Sequence, residues 1–380
     1  MSLKEERDQL FLDVCSGKKP KRVPIFFGMQ IDAAIEYFGY SLLKDVYSPQ
    51  ICYEVADRLA PMIDSDVLPV SPFNTYAAFR YLDQKFMTPG KDGSFQHPDL
   101  APMEREEYPE FSKNILDFIV DKIQPRVFGI IKDDPKLGQV RMKIARDVVV
   151  RPYIGMAEKL SEKYERSSVM KSYTILWAPF DFIADYIRSF SEILKDVRKE
   201  PQWVLEACEA VCDYEIAQVR ALPDPKEGEV SQITIPLHMP PFMRPKDVEK
   251  FYWPTFRRFI LAVQEKGFIP NVFCEGNWDP HLDLLQDIPG RAIFSFEDSN
   301  QKLIAERVPT RHIYMHSYPT MMMKNGSPKE CVNEVKRTLD NLAGAGNYIF
   351  CPNKTLMRGA DINIENIRAV IDCVREYGQY

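Results

Sequence analysis

The sequence predicts an α/β protein folded as a single (β/α)8 TIM barrel with an N-terminal helical extension and an insertion. Three observations predict it. Through the second half, short apolar β-rich runs alternate with amphipathic helical stretches, the pattern of parallel strands joined by crossover helices. Eight such strand-like runs can be counted along the chain, the number that closes a barrel. The chain has 380 residues, 45% of them hydrophobic and 27% charged, which suits one large globular unit covering residues 1 to 380. Because the first half alternates less cleanly, a doubly wound sheet stands as the alternative.

In chain order, a helix is expected over Leu3 to Cys15, a strand at Val23 to Phe27, a helix at Pro49 to Met62 and a strand at Asp66 to Val70. Residues from about 90 to 135 are polar, proline-bearing and irregular, and read as an insertion or lid. A long helix from Gly138 to about Glu165 should precede a strand at Val169 to Leu176. Five βα units follow. Their strands are Val230 to Leu237, Pro270 to Cys274, Ala292 to Phe296, His312 to Met315 and Tyr348 to Phe350. The paired helices are Pro245 to Glu265, His281 to Gln286, Gln301 to Arg307, Pro328 to Leu342 and Ile364 to Glu376. Pro245 and Pro328 suit a first helical turn, and Ser327 is placed to cap the helix it precedes.

Composition removes several function classes. A net charge of -6 argues against a phosphate-backbone ligand, so no nucleic-acid partner is expected. No apolar run reaches the roughly 20 residues of a membrane span, and the charged, amphipathic N-terminus is not a secretory signal. Eight cysteines are scattered without a Cys-x-x-Cys pair, which fits a reducing cytoplasm. Glycine-rich phosphate loops, a Gly-x-Ser-x-Gly elbow and His-Glu-x-x-His are all absent from the sequence.

In such barrels the chemistry sits at the C-terminal ends of the strands. His238, Glu275, Glu297, His316 and Cys351 each end a predicted strand. Histidine, cysteine and carboxylate groups converging on one mouth are what a catalytic zinc site needs, with three protein ligands and one open position. His238, Glu275 and His316 are the first candidate ligands, with Glu297 and Cys351 after them. Each has a plainer reading: Glu297 as a helix cap, His316 as a core histidine, Cys351 as a small buried apolar residue. Glu275 is the hardest to explain structurally, since Gly276 after it lets another group approach the backbone closely; Glu275 and His238 are the expected catalytic pair. Trp177, Phe180, Met239, Phe242 and Met243, with Asn277 and Trp278, are the candidate substrate-binding set at the same mouth. Met321 to Met323 read as core, and His97, His281 and His312 as structural.

Several segments then bear a family likeness. Gly17-Lys-Lys-Pro-Lys-Arg-Val-Pro24 resembles the opening "GxKPDRVP" of the uroporphyrinogen decarboxylase superfamily. Arg244 to Glu265 resembles its helix "SPExFxxFxxPxxKxxIxAxxxKG", and Gly326-Ser-Pro328 and Glu365-Asn-Ile367 resemble its closing "GTPEEV" and "PENI" motifs. The resemblance implies a (β/α)8 barrel. It also implies one of two chemistries. True decarboxylases of the superfamily carry an arginine-rich segment after the first strand that binds a polycarboxylate tetrapyrrole; the corresponding Phe26 to Asp32 here has no arginine. The other branch holds corrinoid-dependent methyltransferases, which exchange a methyl group between a small substrate and the cobalt of a separate corrinoid protein, commonly with zinc. Its coenzyme M members use His-x-Cys and a later Cys; Phe273 and Glu275 stand at the first pair here, and Asn353-Lys354 at the later Gly-Cys. The expected activity is therefore methyl transfer from a small methylated donor such as a methyl ether, with zinc or acid assistance and a corrinoid protein as partner. The alternatives are a decarboxylase or a non-catalytic corrinoid- or ligand-binding barrel.

Overall fold

The computed structural model describes residues 2–132 and 134–380. Six parallel strands make the continuous part of the wall: β1 (Met170–Ile175), β2 (Val230–Leu237), β3 (Ile269–Cys274), β4 (Ile293–Phe296), β5 (Ile313–Tyr318) and β6 (Tyr348–Pro352). They are hydrogen-bonded in chain order. Along each strand, alternate residues face the barrel interior or the surrounding helices. Ile233, Ile235 and Leu237 of β2 and Val272 and Cys274 of β3 pack outward under the helices, so Thr234 and Phe273 face in.

The remaining two wall segments, residues 23–27 and 66–70, are joined by isolated bridges: Ile25 beside Phe350 and Val67 beside Ser167. The Asp66 amide donates to Ile25 O at 3.1 Å and the Ser167 amide to Asp66 O at 2.7 Å, and the ring closes. A regular ladder fails here for a readable reason. Pro24 and Pro69 lack the donors that a ladder needs. The Asp66 carboxylate replaces them, accepting the Ile25 amide at 2.8 Å and both terminal nitrogens of Arg22 at 2.7 and 2.6 Å. Arg7 and Arg166 add ion pairs to the neighbouring Asp64, each at 2.6 Å.

The N-terminal helix Leu3–Ser16 is closed by a Ser2/Glu5 capping box at one end and by Gly17, at φ 84°, at the other. Its Phe11, Val14 and Cys15 pack with the interior residues Val169, Val230, Ile293, Ile313 and Ile349. The extension therefore plugs the N-terminal end of the barrel, leaving the other end as the mouth. The helices Gln301–Arg307 and Pro328–Leu342 have the predicted limits, and Ser327 caps the second in a capping box with Glu330.

Other expectations need correcting. The long helix expected over 138–165 is interrupted: a helix Pro135–Ile144 runs into a wider, π-type turn Ala145–Val149, and a second helix, Met156–Lys163, begins only after Pro152 and Gly155, the latter at φ 77°. The segment following His281 is 3-10 over Asp279–Asp287, not α-helix. The expected insertion begins slightly earlier, with an antiparallel pair, Thr88–Pro89 with Phe95–Gln96, and goes on through helices Tyr108–Lys113, Ile115–Phe118 and Gln124–Val127. They are fastened to the barrel helices, Arg105 to Asp196 at 2.6 Å and Arg188 to Met103 O. Two helices, Phe190–Lys199 and the 21-residue Pro201–Ala221, were not anticipated.

Candidate active site

The strand register sets the site. Leu237 lies beside Cys274, Cys274 beside Phe296 and Phe296 beside His316, so β2 to β5 end at one level. Residues just past those ends must meet across the mouth. His238 and Glu275 do so, with imidazole Nε2 and carboxylate Oε2 3.2 Å apart. The other ring nitrogen, Nδ1, lies 2.8 Å from Asp185 Oδ2. Asp185 is buried and comes from the wider turn Ile183–Arg188 after β1.

One turn earlier, Asp181 is fully buried and accepts the Met239 amide at 2.9 Å and the Tyr252 hydroxyl. Asp181 and Asp185 are i and i+4 on one helical face, the first holding the backbone beside His238 and the second holding its ring. Sequence reasoning had picked the aromatic residues of this segment and missed its acids. The four-residue spacing of two carboxylates after a strand end was the available signal.

Charge follows from this geometry. Burial works against a charged His238, but the hydrogen bond and charge of Asp185, with Asp181 and Glu275 beyond it, outweigh burial and raise its pKa to about 9. The ring is thus an imidazolium at neutral pH, donating from both nitrogens. Glu275 is raised above the ordinary carboxylate range, first by burial and further by Glu297, against the pull of His238. Asp181 is pushed up by burial, also against His238.

The other candidates fall into different places. Glu297 accepts the Gly276 amide and pairs with Lys354 at 2.7 Å, binding three neighbouring loops together. Gly276 has φ 70°, and a side-chain carbon there would meet Pro241 at 3.1 Å, so its glycine serves loop packing. Cys351 lies in the interior cluster with Met315 and Ile349, and burial raises its thiol far above the ordinary value. His316 and Ser317 both have left-handed backbones, at φ 71° and 73°. That break in alternation lets the His316 ring reach Phe273, 5.3 Å between centroids, across the intervening β4 and therefore inside the barrel. Burial lowers its pKa to about 4, and its Nδ1 is buried without a hydrogen-bond partner among the described residues.

Among the apolar candidates, Phe180, Met239 and Trp278 are fully buried and Met243 nearly so; they support the mouth from beneath. Asn277 turns its side-chain oxygen to the Asp279 amide at 2.8 Å. Trp177 packs edge-on against Tyr186. Phe242 is 67% exposed and lies near Phe190, which in turn faces the His238 ring at 6.1 Å. Met321, in the short helix Thr320–Asn325 after β5 and not in the core as expected, and Met357, in the loop after β6, are exposed as well, which adds apolar side chains to the segments that follow the strand ends.

Zinc has a partial fit. Two ligands of one tetrahedral ion stand about 3.3 Å apart when the metal bonds are near 2.0 to 2.1 Å, close to the His238–Glu275 separation. Among the described residues, however, no three His, Cys, Asp or Glu side chains are grouped to hold a metal ion. The donor set falls short of a three-ligand catalytic centre.

Comparison with known proteins comes from two directions. The family model described as "Uroporphyrinogen decarboxylase (URO-D)" matches residues 157–377, more than half of the chain. The solved structure of a methyltransferase from Methanosarcina mazei superposes with a TM-score of 0.63 at 16% identity, covering 98% of this chain and 98% of that one. At that identity the likeness is one of fold, and the fold is a barrel spanning the whole chain. None of the curated proteins matches the sequence.

Proposed function

Because the chain belongs to the uroporphyrinogen decarboxylase family, we propose that it is an enzyme of the methyl-transferring kind, acting between a small methylated substrate and a corrinoid carried by a partner protein. The observation that carries this reading is the Asp185–His238–Glu275 chain at the mouth, a proton donor held by a buried carboxylate. The absence of arginine from residues 26–32 argues against a polycarboxylate substrate, and so against the decarboxylase alternative. The exposed apolar side chains of Phe242, Met321 and Met357 suit a docked partner.

The corrinoid supplies the metal centre that takes up the methyl group. The chain's own residues handle the oxygen left behind. With a methyl ether in the mouth, His238 would donate its Nε2 proton to the ether oxygen, which keeps the electron pair of the breaking O–CH3 bond; R–O–CH3 would become R–OH, and the methyl would pass as a cation equivalent to the electron pair that a reduced corrinoid supplies. Asp185 keeps Nδ1–H engaged, orienting the ring and stabilising its charged form. Glu275, 3.2 Å from Nε2, would relay a fresh proton from solvent to the neutral imidazole and so restore the acid for the next turnover. Phe242 and Phe190 give the substrate an apolar wall. No step here runs through zinc.

Methyl transfer from an aromatic methyl ether to a reduced corrinoid protein, followed by the corrinoid's absorbance, tests the reading. General acid catalysis contributes on the order of 10²–10⁴-fold, so His238→Ala should fall by about that factor and Glu275→Gln should also lose rate. Unchanged transfer in both variants would sink the assignment. Elemental analysis of the same proteins decides the zinc question: one zinc per chain, lost in both variants, would make these two residues metal ligands instead of a proton relay.

A further inference from the structure

The barrel interior beneath the His238–Glu275 pair is open where its floor is packed. Met170 joins the interior cluster at the floor, so Ser172, two residues on, faces in as well. The shift in register between Ser172 and Thr174 then sets Ile175 beside the inward-facing Thr234. Both of these β1 side chains are exposed, Ile175 to 51%, and Thr234 and Phe273 are only half-buried. On the opposite wall, a side-chain carbon at Gly28, two residues past Phe26, would meet nothing within 4 Å. Phe273 stands two residues before Glu275, about 6.6 Å deeper along the strand, and the His316 ring lies against it.

Displacement at a methyl carbon needs the incoming and leaving groups on opposite sides of that carbon. With the methyl group turned out toward a docked partner, the rest of the substrate lies on the barrel side of the ether oxygen. We propose that this interior space is the pocket for that leaving half, with Ile175 and Phe273 against its carbon frame and His316 binding an uncharged hydroxyl on it. The proposal rests on the methyl-ether reading of the mouth and narrows its substrate. The Nδ1 of His316 is sealed in, but Nε2 is neither sealed nor bonded to another group among the described residues, so that edge of the ring meets the open space. A neutral imidazole gives or takes a hydrogen bond at Nε2 according to its tautomer, and a hydroxyl answers either. Ser172 gives its proton to Thr174 O at 3.1 Å and so takes that of Thr234 at 2.8 Å. Only lone pairs are left on this pair, which suit a hydroxyl donor and oppose a carboxylate. Glu275 and Asp185 above them add negative charge against an anion. The ring is held there by two successive left-handed residues, neither a glycine, a strain of the kind that persists at binding sites.

Calorimetric titration of the full chain, without any corrinoid protein, tests this with methoxybenzene, the three methoxyphenols and the three methoxybenzoates. At least one methoxyphenol should bind about 3- to 10-fold more tightly than methoxybenzene, the worth of one net hydrogen bond, and no methoxybenzoate should. His316→Phe should erase that ratio, His316→Gln should restore part of it, and Thr234→Val, which leaves the strained turn untouched, should lower it. Methoxyphenols that bind no better than methoxybenzene, a ratio indifferent to His316→Phe, or a benzoate that binds tightest would overturn the proposal. The reading of the mouth fails separately. Hydroxyl selectivity that depends on His316, without methyl transfer from the same methoxyphenol, would keep the pocket and remove the reaction; transfer that depends on His238, without hydroxyl selectivity, would do the reverse.

Discussion

At the scale of the residue, the main property of the mouth is a histidine kept charged. A general acid works while it holds its proton, so activity should decline as pH rises through about 9, where His238 titrates. Asp185→Asn removes the charge that helps raise this value and leaves only a neutral acceptor for Nδ1–H. The alkaline limb of the rate profile should then move down toward the ordinary histidine value of about 6.5, while substrate affinity changes less. A limb that stays in place would mean that another group carries the proton. The same shift touches stability. Since the folded-state pKa is raised, His238 stabilises the fold fully below about pH 6.5, and that contribution fades as pH rises through about 9. His238 and Glu275 were legible in the sequence because strand ends carry barrel chemistry. Asp185 was marked only by its four-residue spacing from Asp181 after a strand end, while the ring that it holds is decided by where the loop after β1 folds back. Glu297, also at a strand end, is engaged by the Gly276 amide and Lys354, a structural role of the kind that its position allowed beside the metal one.

At the scale of the element, the weakest stretch of wall is the one held by side chains. Asp66 is fully buried and stands in for a ladder between residues 23–27 and 66–70. Asp66→Ala would leave Arg22 and Arg7 facing an uncompensated interior, and breaking a buried pair in this way costs about 3–5 kcal/mol. Urea unfolding should show a loss of that size; a loss under about 1 kcal/mol, the range of an exposed ion pair, would mean that solvent replaces the carboxylate. This seam also explains where reading the sequence worked. Strands β2 to β6 and the helices Gln301–Arg307 and Pro328–Leu342 follow periodicity, so Val230 to Leu237 and Pro328 to Leu342 came out with their observed limits. The first two segments contain Pro24 and Pro69 and pair through single bridges, which explains the noisy alternation there. The expected helix over 138–165 overran Pro152 and Gly155, two breakers whose effect was underweighted.

At the scale of the whole molecule, the barrel is mechanically uneven. Its six-stranded arc is a continuous ladder, whereas residues 23–29 and 65–70 close the ring through isolated bridges. Backbone amides of the closing segments should exchange with deuterium faster than those of β2 to β5, the low-stability regions opening first. Equal protection throughout would show that the Asp66 network is as firm as a ladder. The closure has one more consequence, for the making of the protein. Pro24 and Phe26 find their hydrogen-bond partner in Phe350, and Val23 finds Gly378. A ribosome adding about 5–20 residues per second completes the first of these partners and the last only after roughly 20–70 s of further synthesis. During that interval the first of these wall segments has been made with nothing to pair against, and the ring can shut only once residues 348–378 have been added.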